Sequence, residues 1–439
     1  MLDIKFIREN VEEIKEAAKN KNIKIDLDKL LEIDQKRREA SIKLDEIRTK
    51  RNELAKASQG SRPTDEQIEE GKKLKNEAGE IETQLEKINL EFDELMVQVP
   101  TITAKDVPVG KDESENVEIE KEGEPTKFDF EPKNHIQLAK DLDIIDFDRG
   151  VKVSGYRGYY MKNAGASLQM ALMMYAMDKL VQKGFTLMIP PTLVKEFVLF
   201  GSGYFSGKTF DESQDEIYKI ANGEIEADGK SNKENKFLIG TAEPSLLAYH
   251  SGEILEKKNL PLKFCGFSPC YRSEIGSYGK DTKGLYRVHE FMKVEQVCLC
   301  EADVNQAEKI HKEMLEISKE MHREIGLPFR VLEICTGDMS AGKYRMFDLE
   351  AWMPSRNGYG ETGSASNFLD WQSRRLNVKY KDENGDKKFV YMLNNTAIPS
   401  PRFIIAILEN FQQADGSVII PEVLRKWMPG NEGIIKSLK

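Results

Sequence analysis

Positions stepping by four and three between Ile33 and Leu54 carry Ile33, Arg37, Ala40, Leu44, Ile47, Arg51 and Leu54. This is the spacing of a coiled-coil seam, interrupted by two arginines. A second series, Leu74, Ala78, Ile81, Leu85, Ile88, Phe92 and Leu95, is apolar throughout. Between them lies the helix-breaking stretch Gln59-Gly60-Ser61-Arg62-Pro63. The pattern predicts a long antiparallel helical hairpin. About 30 residues per arm, at 1.5 Å each, give a reach of roughly 45 Å. Such an arm buries little of its own surface, so it either dimerises or grips a partner. From Lys36 to Lys75 there are twelve Lys and Arg against eight Asp and Glu, a basic excess that favours RNA read by shape and backbone.

The remaining pattern is that of a mixed body. Pro100, Pro108, Pro125 and Pro132 punctuate a linker that leads into its first edge. Ser167 to Lys183 reads as a Met- and Leu-rich helix, followed by Gly184-Phe185, the strand Thr186 to Ile189, and Pro190-Pro191. The strand Phe237 to Ile239 precedes Thr241-Ala242-Glu243 and a helix from Pro244 to Ile254, which Thr241 could cap. Residues 222–236 read as a polar surface insertion. Met392 to Arg402 reads as a strand and turn entering the apolar helix Phe403 to Phe411.

Composition narrows the class. No run of about 18 apolar residues occurs and no secretory segment opens the chain, so no membrane association and a cytoplasmic location are expected. The net charge of −10 argues against whole-surface nucleic-acid binding but leaves room for a local basic arm. The five cysteines are an odd number without a CxxC pair; buried thiols are expected, without a disulfide framework or structural zinc. Gly201 to Thr209 (GSGYFSGKT) misses the phosphate-loop spacing, with three or five residues between glycines where four are required.

The chemistry concentrates in Phe267 to Glu295. Arg272 and Glu274 stand two apart and would share a strand face. A Gly- and Lys-rich loop, Gly276 to Gly284, separates them from a returning strand, Leu285 to Val297. The inner face of that hairpin would carry Arg272, Glu274, Phe291 and Glu295. A guanidinium for phosphate, an aromatic ring for a base and carboxylates for amine or hydroxyl groups suggest a nucleotide site with a small polar co-substrate.

The wording of this segment resembles motif 2 of the class II aminoacyl-tRNA synthetases, and its ending VHEFMKVE resembles the seryl family. The helix and strand before Pro190 resemble motif 1, which implies a homodimer through the catalytic domain. Met392 to Arg402 resembles motif 3, with Asn395 in place of a common glycine and Pro399-Ser400-Pro401 in place of small residues. The likeness extends from MLDIKFIREN to LRKWM. It implies an α+β chain: a helical hairpin (coiled coil) in 1–105 that binds tRNA(Ser), and in 106–439 a catalytic domain of antiparallel β-sheet flanked by helices. The stretch after Arg402 has no room for the anticodon domain of the threonyl and prolyl relatives.

The resemblance also implies roles. L-serine would be held by Thr241, Ala242, Glu243, Arg272, Glu295, Asn394 and Thr396. ATP would be bound by Arg272, Ser273, Glu274, Val288, Phe291, Glu361, Thr362, Gly363, Ser364 and Arg402, with Mg2+ on Glu361 and Ser364. Arg272, Glu361 and Arg402 would serve catalysis. The implied reaction is seryl-adenylate formation followed by transfer to tRNA(Ser), with tRNA(Sec) as an additional acceptor. Two rivals have sequence tests. Amino-acid ligases that load carrier proteins lack the long arm, and an inactive paralogue would have lost Arg272, Glu295, Glu361 or Arg402.

Overall fold

The computed structural model describes residues 1–57, 64–221, 234–275 and 283–436, and the backbone of 224–225 and 231–232. The turn expected at Gln59 to Pro63, the loop from 276 to 282 and most of the 222–236 insertion lie outside these residues. The chain divides into two units, Leu2–Pro100 and Thr101–Lys439 with Met1.

In the first unit, two long helices, α1 (Leu27–Ala57) and α2 (Asp65–Met96), pack side by side. Leu44, Ile47, Ala78 and Ile81 form the buried seam, flanked by Ala40, Leu74 and Leu85. Thr64 opens α2 with a capping box shared with Gln67, satisfying N–H groups that the first turn leaves open. The two seam arginines differ. Arg37 lays its guanidinium 3.9 Å from the Phe92 ring centroid and pairs with buried Asp34 at 3.0 Å, so it belongs to the packing. Arg51 is exposed. Lys29–Glu91 and Arg48–Glu82 ion pairs, at 2.7 and 3.0 Å, link the two helices along their flanks.

The second unit is built on an eight-stranded sheet. Its strands are β1 (Val117–Glu122), β2 (Thr186–Met188), β3 (Leu262–Tyr271), β4 (Glu290–Cys300), β5 (Phe329–Glu333), β6 (Arg345–Met353), β7 (Gly358–Asn367) and β8 (Tyr391–Pro399). They lie in the order β1-β5-β6-β7-β8-β4-β3-β2. Every pair is antiparallel except β2 with β3. Helices α3 (Asn163–Gln182), α4 (Val304–Ile325) and α5 (Ser400–Asn410) share one large core with β4 and β8, through residues such as Leu172, Met314, Val294 and Phe403. Polar residues alternate with that core along the central strands, which leaves the opposite face for chemistry.

Several sequence expectations need revision. The helix expected from Pro244 to Ile254 is one short α-helix, Glu243–Leu247, then a 3-10 turn, and Ile254 already starts a strand. Thr241 is not its N-cap: Ala242 is, and Thr241 Oγ1 only accepts a long bond from the Glu243 amide at 3.5 Å. The second hairpin strand begins at Glu290, five residues later than expected, and runs on to Cys300. The helix after motif 3 starts at Ser400, with Pro401 in its first turn, where a missing N–H costs nothing. Asn395 is buried on the helix side of β8, where its amide donates to Met314 O (2.8 Å) and Ser318 Oγ (2.9 Å); a glycine could not tie β8 to α4 in this way.

Candidate active site

Strand β3 stops at Tyr271, so Arg272 and Glu274 are not on a regular strand as their spacing suggested. The Arg272 amide still donates to His289 O at 2.9 Å, but Glu274 takes a left-handed backbone (φ +56°) that turns its carboxylate back. Both side chains nonetheless line one cleft of about 500 Å³, together with Val288, Phe291, Glu361, Gly363 and Arg402. Arg272 sits 5.8 Å from the Phe291 ring centroid and donates through Nε to Gly240 O at 3.3 Å. Glu274 is flanked by Arg287 and Arg157, at 3.1 and 3.4 Å. Arg402 stacks 4.5 Å from the Tyr286 centroid and bonds both the carbonyl and the carboxylate of Glu361, at 2.9 and 3.0 Å. Sequence reasoning missed Tyr286 and Arg287, which also line the cleft. The R-V-H-E-F run around them was the available signal.

Glu361 and Ser364 are three residues apart, which on a regular strand would place them on opposite faces. A bulge solves this. Glu350 pairs with Glu361 and Asp348 with Ser364, so Thr362 is the extra residue that restores one shared face. Thr362 itself points into the core, where its hydroxyl meets His322 Nε2 at 2.7 Å. Its side chain is therefore no nucleotide ligand, although the residue borders the cleft. Burial, with Glu361 close by, pushes the Asp348 carboxyl well above its usual range. Burial acts the same way on Glu361, but Arg402 and Arg272 outweigh it and hold Glu361 low. Asp348 Oδ1 is buried without a hydrogen bond. An orphaned carboxylate oxygen beside Glu361 and Ser364 is a donor set that suits a hard divalent cation. Among the described residues no three His, Cys, Asp or Glu side chains form a metal cluster, so phosphate or water would complete the shell. Asp348 carried no signal of its own in the sequence.

A second polar group adjoins the cleft. Asn394 Nδ2 and Gln372 Nε2 donate to Glu243 Oε1 at 2.9 and 2.8 Å, and Tyr204 OH donates to Oε2 at 3.0 Å. Burial, reinforced by nearby Glu295, pushes Glu243 up to about 7. A second bulge, at Ala397, sets Glu295 opposite Thr396. Thr396 Oγ1 donates to Glu295 Oε2 at 3.3 Å, and Lys293 Nζ pairs with that oxygen at 2.6 Å. Thr396 and Lys293 also line the cleft, so the two groups are continuous. Among the described lining residues of the cleft, Thr241, Ala242, Glu243, Ser273, Glu295, Ser364 and Asn394 do not occur. Ala242 buries its methyl in a hydrophobic cluster, which leaves only its backbone for a ligand. Tyr204 and Gln372 come from distant segments and had no legible signal.

A family model for the tRNA synthetase class II core domain (G, H, P, S and T) matches residues 218–411, and one for the seryl-tRNA synthetase N-terminal domain matches residues 1–103. A serine--tRNA ligase of Borrelia garinii subsp. bavariensis is 42% identical over 97% of this chain and 98% of its own. The crystal structure of seryl-tRNA synthetase from Pyrococcus horikoshii complexed with ATP superposes with a TM-score of 0.88 at 36% identity, covering 100% of both chains. The cytoplasmic serine-tRNA ligase from Naegleria fowleri in complex with AMP gives 0.85 at 30% identity, covering 100% of this chain and 99% of that one.

Proposed function

The chain belongs to the seryl-tRNA synthetase family, and on that premise we propose that its cleft activates L-serine with ATP and that the seryl group then passes to tRNA(Ser). The observation that carries this reading is the junction at Thr396. One residue borders the arginine-rich cleft and also bonds Glu295 of the polar group, so a nucleotide and a small amino acid would meet there.

The serine carboxylate is already ionised at pH 7, so its attack on the α-phosphorus needs no general base. Rate enhancement then rests on positioning and on charges fixed in advance. Arg272 holds the α-phosphate, Arg402 and Arg287 the bent phosphate tail, and Phe291 stacks on adenine while Glu274 and the Val288 backbone read its edge. Glu361 and Ser364, with Asp348 behind them, would hold a magnesium ion, which would supply neutralising charge to the phosphates. Glu243 takes the ammonium, within reach of Thr241 and the Ala242 backbone, and Asn394 and Gln372 orient its carboxylate. Glu295 and Thr396 bond the serine hydroxyl. Alanine would leave them unpaired in a buried site, which can cost about 10⁴-fold in selectivity.

The hairpin presents tRNA(Ser), through exposed cations such as Lys50, Arg51, Lys72, Lys73 and Lys75. A homodimer forms through β2, the last strand of the sheet, and the outer side of α3. Leu187, Ile189, Met170, Met174 and Val181 are all exposed there, and a cytoplasmic location suits that assembly. No helix of the described residues is long and apolar enough to cross a membrane. Charging of purified tRNA(Ser) with labelled serine tests the proposal. Ester formation on tRNA(Ser) and not on tRNA(Ala) is the expected result; equal charging of both, or of neither, would refute it.

A further inference from the structure

Helix α5 carries a second charged side chain two turns beyond Arg402, the fully buried Glu409. Its Oε1 accepts the His135 amide at 2.9 Å, His135 Nδ1 at 2.8 Å and the Ser355 hydroxyl at 2.8 Å. Its Oε2 accepts the Ser355 amide at 2.9 Å. Burial raises this carboxyl, but the bonds from His135 and Ser355 outweigh it and hold the group below its usual range. An ionised carboxylate can only accept, so His135 carries its proton on Nδ1 and keeps a lone pair on Nε2. That lone pair takes the Leu285 amide at 3.3 Å.

Both branches from Glu409 run to Tyr286, at the edge of the cleft. Leu285 precedes it in the chain. Arg356, next to Ser355, lays its guanidinium 4.2 Å from the Tyr286 ring centroid. Arg402 stacks on the same ring and donates to the Tyr286 carbonyl at 3.4 Å. Tyr286, Arg287 and Val288 line the cleft, whereas His135 is not among its described lining residues. We propose that His135 is a positioning residue for ATP: through the Leu285 amide it sets where the Tyr286 to Val288 edge stands. The inference rests on the function proposed above, in which Arg287 holds phosphate and the Val288 backbone reads adenine.

The two ring nitrogens have separate jobs. Nδ1 satisfies a buried carboxylate, which concerns stability, while Nε2 holds the segment that meets the nucleotide. Gly284 shows how closely that segment approaches: its φ is +79°, and a Cβ there would stand 2.1 Å from Nε2. Amide side chains can each replace one nitrogen. Asn places its NH2 near Nδ1, and Gln places its carbonyl oxygen near Nε2.

Serine-dependent ATP–pyrophosphate exchange and calorimetric ATP titration of the full-length protein test the proposal. His135→Gln keeps the acceptor for Leu285 and should leave the ATP KM within about twofold of wild type. His135→Asn keeps the donor to Glu409 but loses that acceptor. Its ATP KM should rise about tenfold, the scale of one hydrogen bond, with kcat and the serine KM within about twofold of wild type. Gly284→Ala crowds Nε2 from the loop side and should raise the ATP KM to the same extent, which keeps the test available if the Asn variant does not fold. The ATP Kd values should follow the same order. A wild-type ATP KM in His135→Asn or in Gly284→Ala would overturn the proposal. A rise in His135→Gln as large as that in His135→Asn would also overturn it, because the ring would then serve Glu409 alone. Equal rises in the ATP and serine KM would do the same, since the defect would not be specific to ATP. Wild type that binds ATP, with Kd values in the expected order across the variants but no exchange, would refute the proposed function and leave the role of His135 standing.

Discussion

Glu243 connects burial most directly to substrate choice. Its carboxyl titrates near 7 in the free protein because burial and Glu295 disfavour its charge. An ammonium needs the charged form. Below pH 7, kcat/KM for serine should therefore fall about tenfold per pH unit, and Glu243→Gln should give a flat, low profile. A serine profile flat down to pH 5.5 in the wild type would refute that role. The stability effect has the opposite sense. The folded pKa lies above the ordinary 4.5, so the folded state binds this proton more tightly. The free protein should lose stability as pH rises from 4.5 through 7. Glu295→Ala should impair serine activation while the far-UV circular dichroism stays native. Exchange at the wild-type rate in that variant would remove Glu295 from the hydroxyl site.

At the level of elements, two bulges do what residue spacing alone does not. Thr362 brings Glu361, Ser364 and Asp348 to one face, and Ala397 sets Thr396 against Glu295. Thr362→Val would strand the buried His322 Nε2 and should cost about 1–3 kcal/mol in denaturant unfolding. Unchanged stability would mean that this hydroxyl does not hold the strand. The heptad seams and the residue types of motif 2 were legible in sequence because periodicity and chemistry repeat over short distances. The bulges were not, because a one-residue insertion in a ladder shows only against its partner strand. Tyr204 and Gln372 were hidden for a similar reason: they reach Glu243 from 39 and 129 residues away. The left-handed turn at Glu274 had no glycine to announce it.

For the molecule as a whole, an acidic chain with a net charge of −10 carries a locally basic stretch in its hairpin, residues 36–75, so tRNA affinity should concentrate there and be salt-sensitive. Reversing Lys72, Lys73 and Lys75 to Glu should lower kcat/KM for tRNA at least about tenfold while leaving amino-acid activation intact. A loss of activation in that triple variant would contradict the division of labour between arm and body. Ile189→Asp, at the exposed residue that follows edge strand β2, should yield monomers by analytical ultracentrifugation. A persistent dimer would place the interface elsewhere. The central claim is that the cleft and the Glu243–Glu295 group together form one serine-activating centre. Amino-acid-dependent ATP–pyrophosphate exchange with purified protein tests it most directly, comparing serine with alanine, threonine and cysteine. Exchange strong with serine, abolished without magnesium and negligible with the other three is the expected result. No exchange from folded protein, or exchange with alanine equal to that with serine, would contradict it.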